Sequence, residues 1–151
     1  MKIYIGADHR GVALKSQIVD FLGKKEIDII DVGIHDSKKS CDYPKISFRV
    51  AQSVARDKTA RGILVCMTGI GHSMAANRVM GARAALCYNV KAAKLSREHN
   101  NANILVLGSK FVTRKEIFKI LNVWLKTPFE GGRHLRRVNQ IDQISKKSCC
   151  K

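Results

Sequence analysis

At 151 residues, 45% of them hydrophobic, the chain suits one domain large enough to bury a core without disulfide or metal staples. Its 28 Lys and Arg against 12 Asp and Glu give a net charge of +16, which raises nucleic acid, a membrane surface or an anionic small molecule as partner. No run is long enough to span a bilayer, and the lysines are spread over predicted helix faces without interleaved aromatics, so no membrane or nucleic-acid partner is expected; a nucleotide- or nucleic-acid-binding protein stays open as the alternative from another class, the latter resting on charge alone.

Met1-Lys2-Ile3-Tyr4-Ile5 runs straight into an apolar strand with no signal-peptide pattern, so the expectation is a soluble, cytoplasmic protein. The five cysteines, Cys41, Cys66, Cys87, Cys149 and Cys150, are scattered and form no CxxC pair, which argues against a disulfide framework and against zinc. Cys41 and Cys87 read as packing thiols. Residues 146–151 read as a basic disordered tail behind a single domain over residues 1–145.

In chain order, Ile3-Tyr4-Ile5 is a first strand, ending at Gly6-Ala7-Asp8-His9-Arg10-Gly11, after which Leu14, Ile18, Phe21 and Leu22 recur at helical spacing. Residues 27–32 form a second strand closed by Gly33, and a loop with Tyr43-Pro44 leads to a helix with Ile46, Val50 and Val54 on its apolar face. Residues 63–66 are a third strand, 83–88 a fourth, 90–99 a polar helix and 103–107 a fifth strand stopped by Gly108. Thr113-Arg114-Lys115-Glu116 has the spacing of a capping box, with Ile117, Ile120, Leu121, Trp124 and Leu125 as a wide apolar stripe behind it. Five apolar strands separated by helices predict a parallel sheet covered on both faces.

The central stretch runs from Ile63-Leu64-Val65-Cys66 through Met67-Thr68-Gly69-Ile70-Gly71 into His72-Ser73-Met74-Ala75-Ala76-Asn77, and reads as strand, tight turn and helix start. Free N–H groups there, with glycines that let a ligand approach, form a cradle for negative charge beside the thiol of Cys66. Ligands in open parallel sheets sit beyond the carboxyl ends of the strands, which marks Asp8, His9, Cys66 to His72, and Lys110 as candidates. His99 and Asn100 close the helix before the fifth strand, so their arrival at that rim requires a neighbouring chain or an unusual loop. Past Pro128 and Gly131-Gly132, an additional helix carries Arg133 and Arg137 on one face. They either clamp one dianionic phosphate with forked donors or form a solvated basic face. A dinucleotide fingerprint fails, because Met74 stands at the third glycine of Gly69-Ile70-Gly71-His72-Ser73-Met74.

Gly6-Ala7-Asp8-His9, Asp42-Tyr43-Pro44, Cys66-Met67-Thr68-Gly69-Ile70-Gly71, Ala75-Ala76-Asn77, Ser96-Arg97-Glu98-His99-Asn100, Leu107-Gly108-Ser109 and Glu130-Gly131-Gly132-Arg133-His134 together resemble the B-type ribose-5-phosphate isomerases. Galactose-6-phosphate and allose-6-phosphate isomerases belong to the same wider group. The resemblance runs from Met1 to about Ile144. It implies an aldose–ketose isomerase of the pentose phosphate pathway with a Rossmann-like three-layer fold. It further implies a homodimer or homotetramer with sites shared between subunits and no metal or other cofactor. Carried over by position, Cys66 is the base that moves the proton between C1 and C2, and His99 helps open the sugar ring. Asp8 contacts the sugar hydroxyls, and His9, Arg133 and Arg137 hold the phosphate. Met67, Thr68, Gly69, Ile70 and Gly71 wrap the reacting end, with Asn100 and Lys110 beside it.

A thiolate facing a helix N-terminus is stabilised, which brings Cys66 toward neutrality. Three positions depart from the pattern. Met67 replaces a glycine usual in relatives, Lys110 replaces a common arginine, and His72 stands at a position aliphatic in cysteine-type relatives. At a helix start, His72 is expected to stay neutral; it either assists Cys66 or tunes its pKa, or has a plain helix-start role. Ribose 5-phosphate is the expected substrate; a hexose 6-phosphate is the alternative, decided by pocket depth near Met67, Tyr43 and His99.

Overall fold

A computed structural model describes the backbone of residues 1–149 and the side chains of residues 1–143. Strands β1 (Lys2–Ala7), β2 (Asp28–Asp31), β3 (Arg61–Cys66), β4 (Ala84–Leu86) and β5 (Ile104–Gly108) form one parallel sheet in the order β2-β1-β3-β5-β4. Six helices accompany them among the described residues: α1 (Val12–Gly23), α2 (Tyr43–Arg56), α3 (Ile70–Ala76), α4 (Val90–Glu98), α5 (Arg114–Lys126) and α6 (Gly132–Cys149).

The central strands β3 and β5 are buried on both faces because helices cover both. Ile3, Ile5, Ala7, Ile63, Val65, Leu105 and Leu107 point to one side, where they pack with Leu14 and Ile18 of α1, Ala93 of α4, and Ile117, Ile120 and Trp124 of α5. Leu64, Ile104 and Val106 point to the other, against Ile46, Val50 and Val54 of α2 and Ala76 of α3. This is the three-layer αβα sandwich expected. The fully buried Ile and Leu side chains each contribute roughly 1.5–3 kcal/mol.

Several boundaries differ from the sequence reading. Tyr43-Pro44 opens α2 rather than lying in a loop, since a first helical turn has no use for the N–H that proline lacks. Strand β4 is shorter than residues 83–88, as Tyr88 turns away from the ladder to donate its hydroxyl to the Thr68 carbonyl, at 2.7 Å. The expected tail from residue 146 begins as helix, because α6 continues through Cys149; Cys150 and Lys151 lie outside the described residues. Cys87 is buried in one core and Cys41 packs against the other. Among the described residues no helix is long and apolar enough to cross a membrane.

The chain steps from β1 outward to β2, then returns to the far side of β1 to lay down β3. A crevice forms at such a reversal, beyond the strand ends. Here the two strand ends carry Asp8 and Cys66.

Candidate active site

The register Ala7↔Val65 sets Asp8 and Cys66 side by side just past their paired strands. Side chains alternate along a strand, so both fall on the face covered by α2 and α3. Asp8 is 7% exposed and Cys66 equally so. The third wall is His72 on α3, fully buried. One polar atom from each of Asp8, Cys66 and His72 lies within 4.8 Å of those of the other two.

After Cys66 the chain turns sharply. Gly69 takes φ of +83°, a region open to glycine, and a Cβ there would meet Leu86 at 2.4 Å. The turn aims the Gly69 N–H at the Cys66 sulfur, at 3.0 Å. That bond favours the thiolate, yet burial outweighs it, and with the Asp8 carboxylate nearby the thiol is pushed up from its ordinary value. The expectation that the helix start draws Cys66 toward neutrality is therefore corrected: α3 is only seven residues long, and desolvation wins. The Ile70 N–H bonds the Thr68 hydroxyl at 3.3 Å, and the first backbone bond of α3 runs from Ser73 to Gly69. Gly71 and His72 donate to no backbone carbonyl, which leaves the Gly71 N–H at the partly exposed start of the helix and that of His72 buried behind it.

His72 is held from behind. Its Nδ1 lies 2.6 Å from the hydroxyl of Ser47, which in turn donates to the Tyr43 carbonyl at 3.1 Å. Its Nε2 is buried with no partner. Burial drives its pKa down to about 4, so the imidazole is neutral near pH 7; the Asp8 carboxylate opposes this without reversing it. Desolvation, rather than the helix-start position, keeps the ring uncharged. The Tyr43 ring meets that of His72 edge-on at 5.7 Å, over Gly71, where a Cβ would come within 2.6 Å of the phenol.

Asp8 serves the backbone as well as the site. Its Oδ1 accepts from the N–H groups of Arg10 and Gly11 at 2.9 and 3.1 Å, fixing the turn into α1. His9 beside it has a buried Nδ1 without a partner, while its Nε2 accepts from Arg10 Nε at 3.3 Å. Lys110 is exposed on the same rim and donates its backbone N–H to the Met67 carbonyl. Met67 is 39% exposed.

His99, Asn100, Arg133 and Arg137 gather elsewhere. Helices of a parallel sheet return antiparallel to its strands, so His99 at the end of α4 sits at the rim where strands begin, opposite Cys66. There its ring stacks on that of His134, with centroids 4.2 Å apart and planes 3° from parallel. Glu130 Oε2 lies 3.9 Å from His99 Nε2 and 3.5 Å from His134 Nε2. Arg133 and Arg137 are exposed on the first turns of α6.

Sequence reasoning missed Ser47, Tyr88, Arg10, Glu130 and His134 as members of these clusters. The four-residue spacings Tyr43–Ser47 and Glu130–His134 were the available signals, each placing two side chains on one helical face or turn. Two triads, Asp8–Cys66–His72 and His99–Glu130–His134, have the donor types of a divalent-metal site. The first equally composes an acid–base set of thiol, imidazole and carboxylate.

Residues 3–141 match the family model described as ribose/galactose isomerase. Ribose-5-phosphate isomerase B of Escherichia coli is 41% identical over 146 residues, 97% of each chain. The structure of Clostridium thermocellum ribose-5-phosphate isomerase B superposes with a TM-score of 0.95 at 49% identity, covering 98% of this chain and 99% of that one. That of the Mycoplasma genitalium enzyme with bound ribulose 5-phosphate gives 0.93 at 44% identity, covering 96% of each. With its fold and nearly all of its length in common with these proteins, the chain belongs to the ribose/galactose isomerase family.

Proposed function

We propose that the protein interconverts ribose 5-phosphate and ribulose 5-phosphate through an enediolate, with Cys66 as the base. The carrying observation is the cluster of Cys66, Asp8 and His72 at the sheet's reversal, next to two N–H groups that bond no carbonyl. Proton abstraction beside a carbonyl loads negative charge onto oxygen, so a base and fixed donors must face the same carbons. The Cys66 sulfur takes the proton from C2 of the aldose and returns it to C1. In this reading the Gly71 N–H donates to the developing oxyanion, and Asp8 receives sugar hydroxyls. No step requires a metal.

His72 acts through Cys66. With Ser47 donating to the Tyr43 carbonyl, Nδ1 carries the proton and Nε2 presents a lone pair toward the thiol. In the free protein the proton stays on sulfur, since the imidazole is held down to about 4; the negative charge of the entering sugar phosphate raises the ring's basicity and lets it take the Cys66 proton. This is a positioning and proton-holding role.

The active form is a homodimer, or a homotetramer built as a dimer of dimers, in which α6 and the end of α4 of one chain reach the Cys66 rim of the next. Two observations support it. His99, Arg133 and Arg137 lie away from Cys66 within one chain, and both surfaces carry bare apolar side chains: Ile70 and Met74 are 51% and 62% exposed on α3, and Leu135 is 46% exposed on α6. The partner's ring-opening histidine and phosphate-clamping arginines then complete each site, with His9 on the phosphate from the near side.

A panel of aldose and ketose phosphates, with and without chelator, tests the reading. Turnover of ribose 5-phosphate above galactose and allose 6-phosphates, unchanged by chelator, supports it; preference for a hexose phosphate or loss with chelator contradicts it.

A further inference from the structure

The rim where the strands begin holds a cavity of about 460 Å³ that the chemistry above does not use. Lys58, Arg61, Arg83 and Arg97 line it, against one carboxylate, Asp142 of α6. Arg97 is more than nine-tenths buried. Arg61 and Arg97 both lie over the Trp124 ring, at 5.2 and 5.8 Å. Burial, and the positive fields of Arg61 and Arg83, push the Arg97 guanidinium down to about 10.

Each arginine is anchored by part of its fork. Arg61 donates Nη1 to the Trp124 and Leu125 carbonyls, Arg97 donates Nε and Nη1 to Thr127, Asn101 and Ala102, and Arg83 donates Nε to the Asn101 carbonyl. The Nη2 group of all three is left over. None is among the buried atoms without a partner, and all three side chains line the cavity. Among the described residues one carboxylate answers them, Asp142, 3.5 Å from Arg83 Nη1, a distance too long for a forked pair. Three anchored arginines, with the exposed Lys58 beside them, around one loosely engaged carboxylate is an arrangement stabilised by a compact, multiply charged anion.

We infer that this cavity is a binding site for a phosphate dianion, free or as the head of a phosphomonoester, distinct from the substrate site. Three guanidinium groups converge on its oxygens from fixed backbone anchors, and the anion takes the place of the Asp142 carboxylate. The site is built for charge and geometry, not for a particular carbon skeleton.

Isothermal titration of the whole oligomer with inorganic phosphate tests it, on an Arg133→Ala/Arg137→Ala background that removes the clamp proposed for the substrate. The expected result is about one phosphate bound per chain, weakened at least tenfold by Arg83→Gln and tightened severalfold by Asp142→Asn. A variant that merely loosened the fold would weaken binding in both cases, so the opposite signs carry the test. Competition by glycerol 3-phosphate assigns the site to esters as well, and its failure to compete assigns it to the free ion. Absence of binding on the double-variant background, or affinity indifferent to Arg83→Gln, overturns the inference whatever the enzyme turns over.

Discussion

The Nδ1 of His72 lies 2.6 Å from the Ser47 hydroxyl, and this one contact turns the opposite edge of the imidazole toward Asp8 and Cys66. A buried ring with an unpartnered nitrogen is costly unless that nitrogen is used.

His72→Leu is expected to lower kcat by about tenfold with little change in KM, and Cys66→Ala by about a hundredfold or more, the range of a positioned general base. A purely structural His72 would leave the thiol's titration alone. The pH profile of iodoacetamide alkylation at Cys66 is therefore the sharper readout, and its midpoint should move upward in His72→Leu. Ser47→Ala should move it the same way by less.

Burial of His72 also links stability to pH. Its ordinary pKa of 6.5 applies to the unfolded chain and a value of about 4 to the folded one, so between these the unfolded chain binds more protons. Stability is full above pH 6.5 and falls as pH drops toward 4, by about 3 kcal/mol from this ring alone. Urea unfolding at pH 7 and pH 4 should show that much more loss in the parent than in His72→Leu.

Shared sites predict complementation. Cys66→Ala and His99→Ala chains, each nearly inactive, should recover about a quarter of parental activity when unfolded together and refolded as a mixture, since random pairing makes half the dimers mixed, each with one intact site. Sites confined to one chain would recover none.

Away from the site, Thr113 closes the capping box on α5, with its hydroxyl 3.4 Å from the Glu116 N–H and the Glu116 carboxylate 3.1 Å from the Thr113 N–H. Thr113→Ala should cost about 1 kcal/mol in thermal or urea unfolding and leave kcat unchanged.

The layers were legible because burial on both faces writes itself as uninterrupted apolar runs, as in β3 and β5, and because the Thr113–Glu116 spacing marks a helix start by local hydrogen bonding alone. Asp8 and Cys66 were legible as strand-end residues. Their common face follows from alternation and register, and register depends on which strands are neighbours. The order β2-β1-β3-β5-β4 is set by tertiary packing, so sequence could not pair Ala7 with Val65 or Cys66 with Gly108. Ser47 was hidden for the same reason, since its contact with His72 spans 25 residues and two helices. The direction of the Cys66 shift went the other way from expectation because burial, invisible in a short motif, exceeds the effect of the Gly69 N–H.

A crystal of the protein soaked with ribulose 5-phosphate bears most directly on the central proposal. C1 and C2 of the sugar should lie about 3–3.5 Å from the Cys66 sulfur, a distance suited to proton transfer, with the phosphate between His9 and the partner's Arg133 and Arg137. A sugar bound away from Cys66, or a sulfur turned from it into the packing between sheet and α2, would contradict the account.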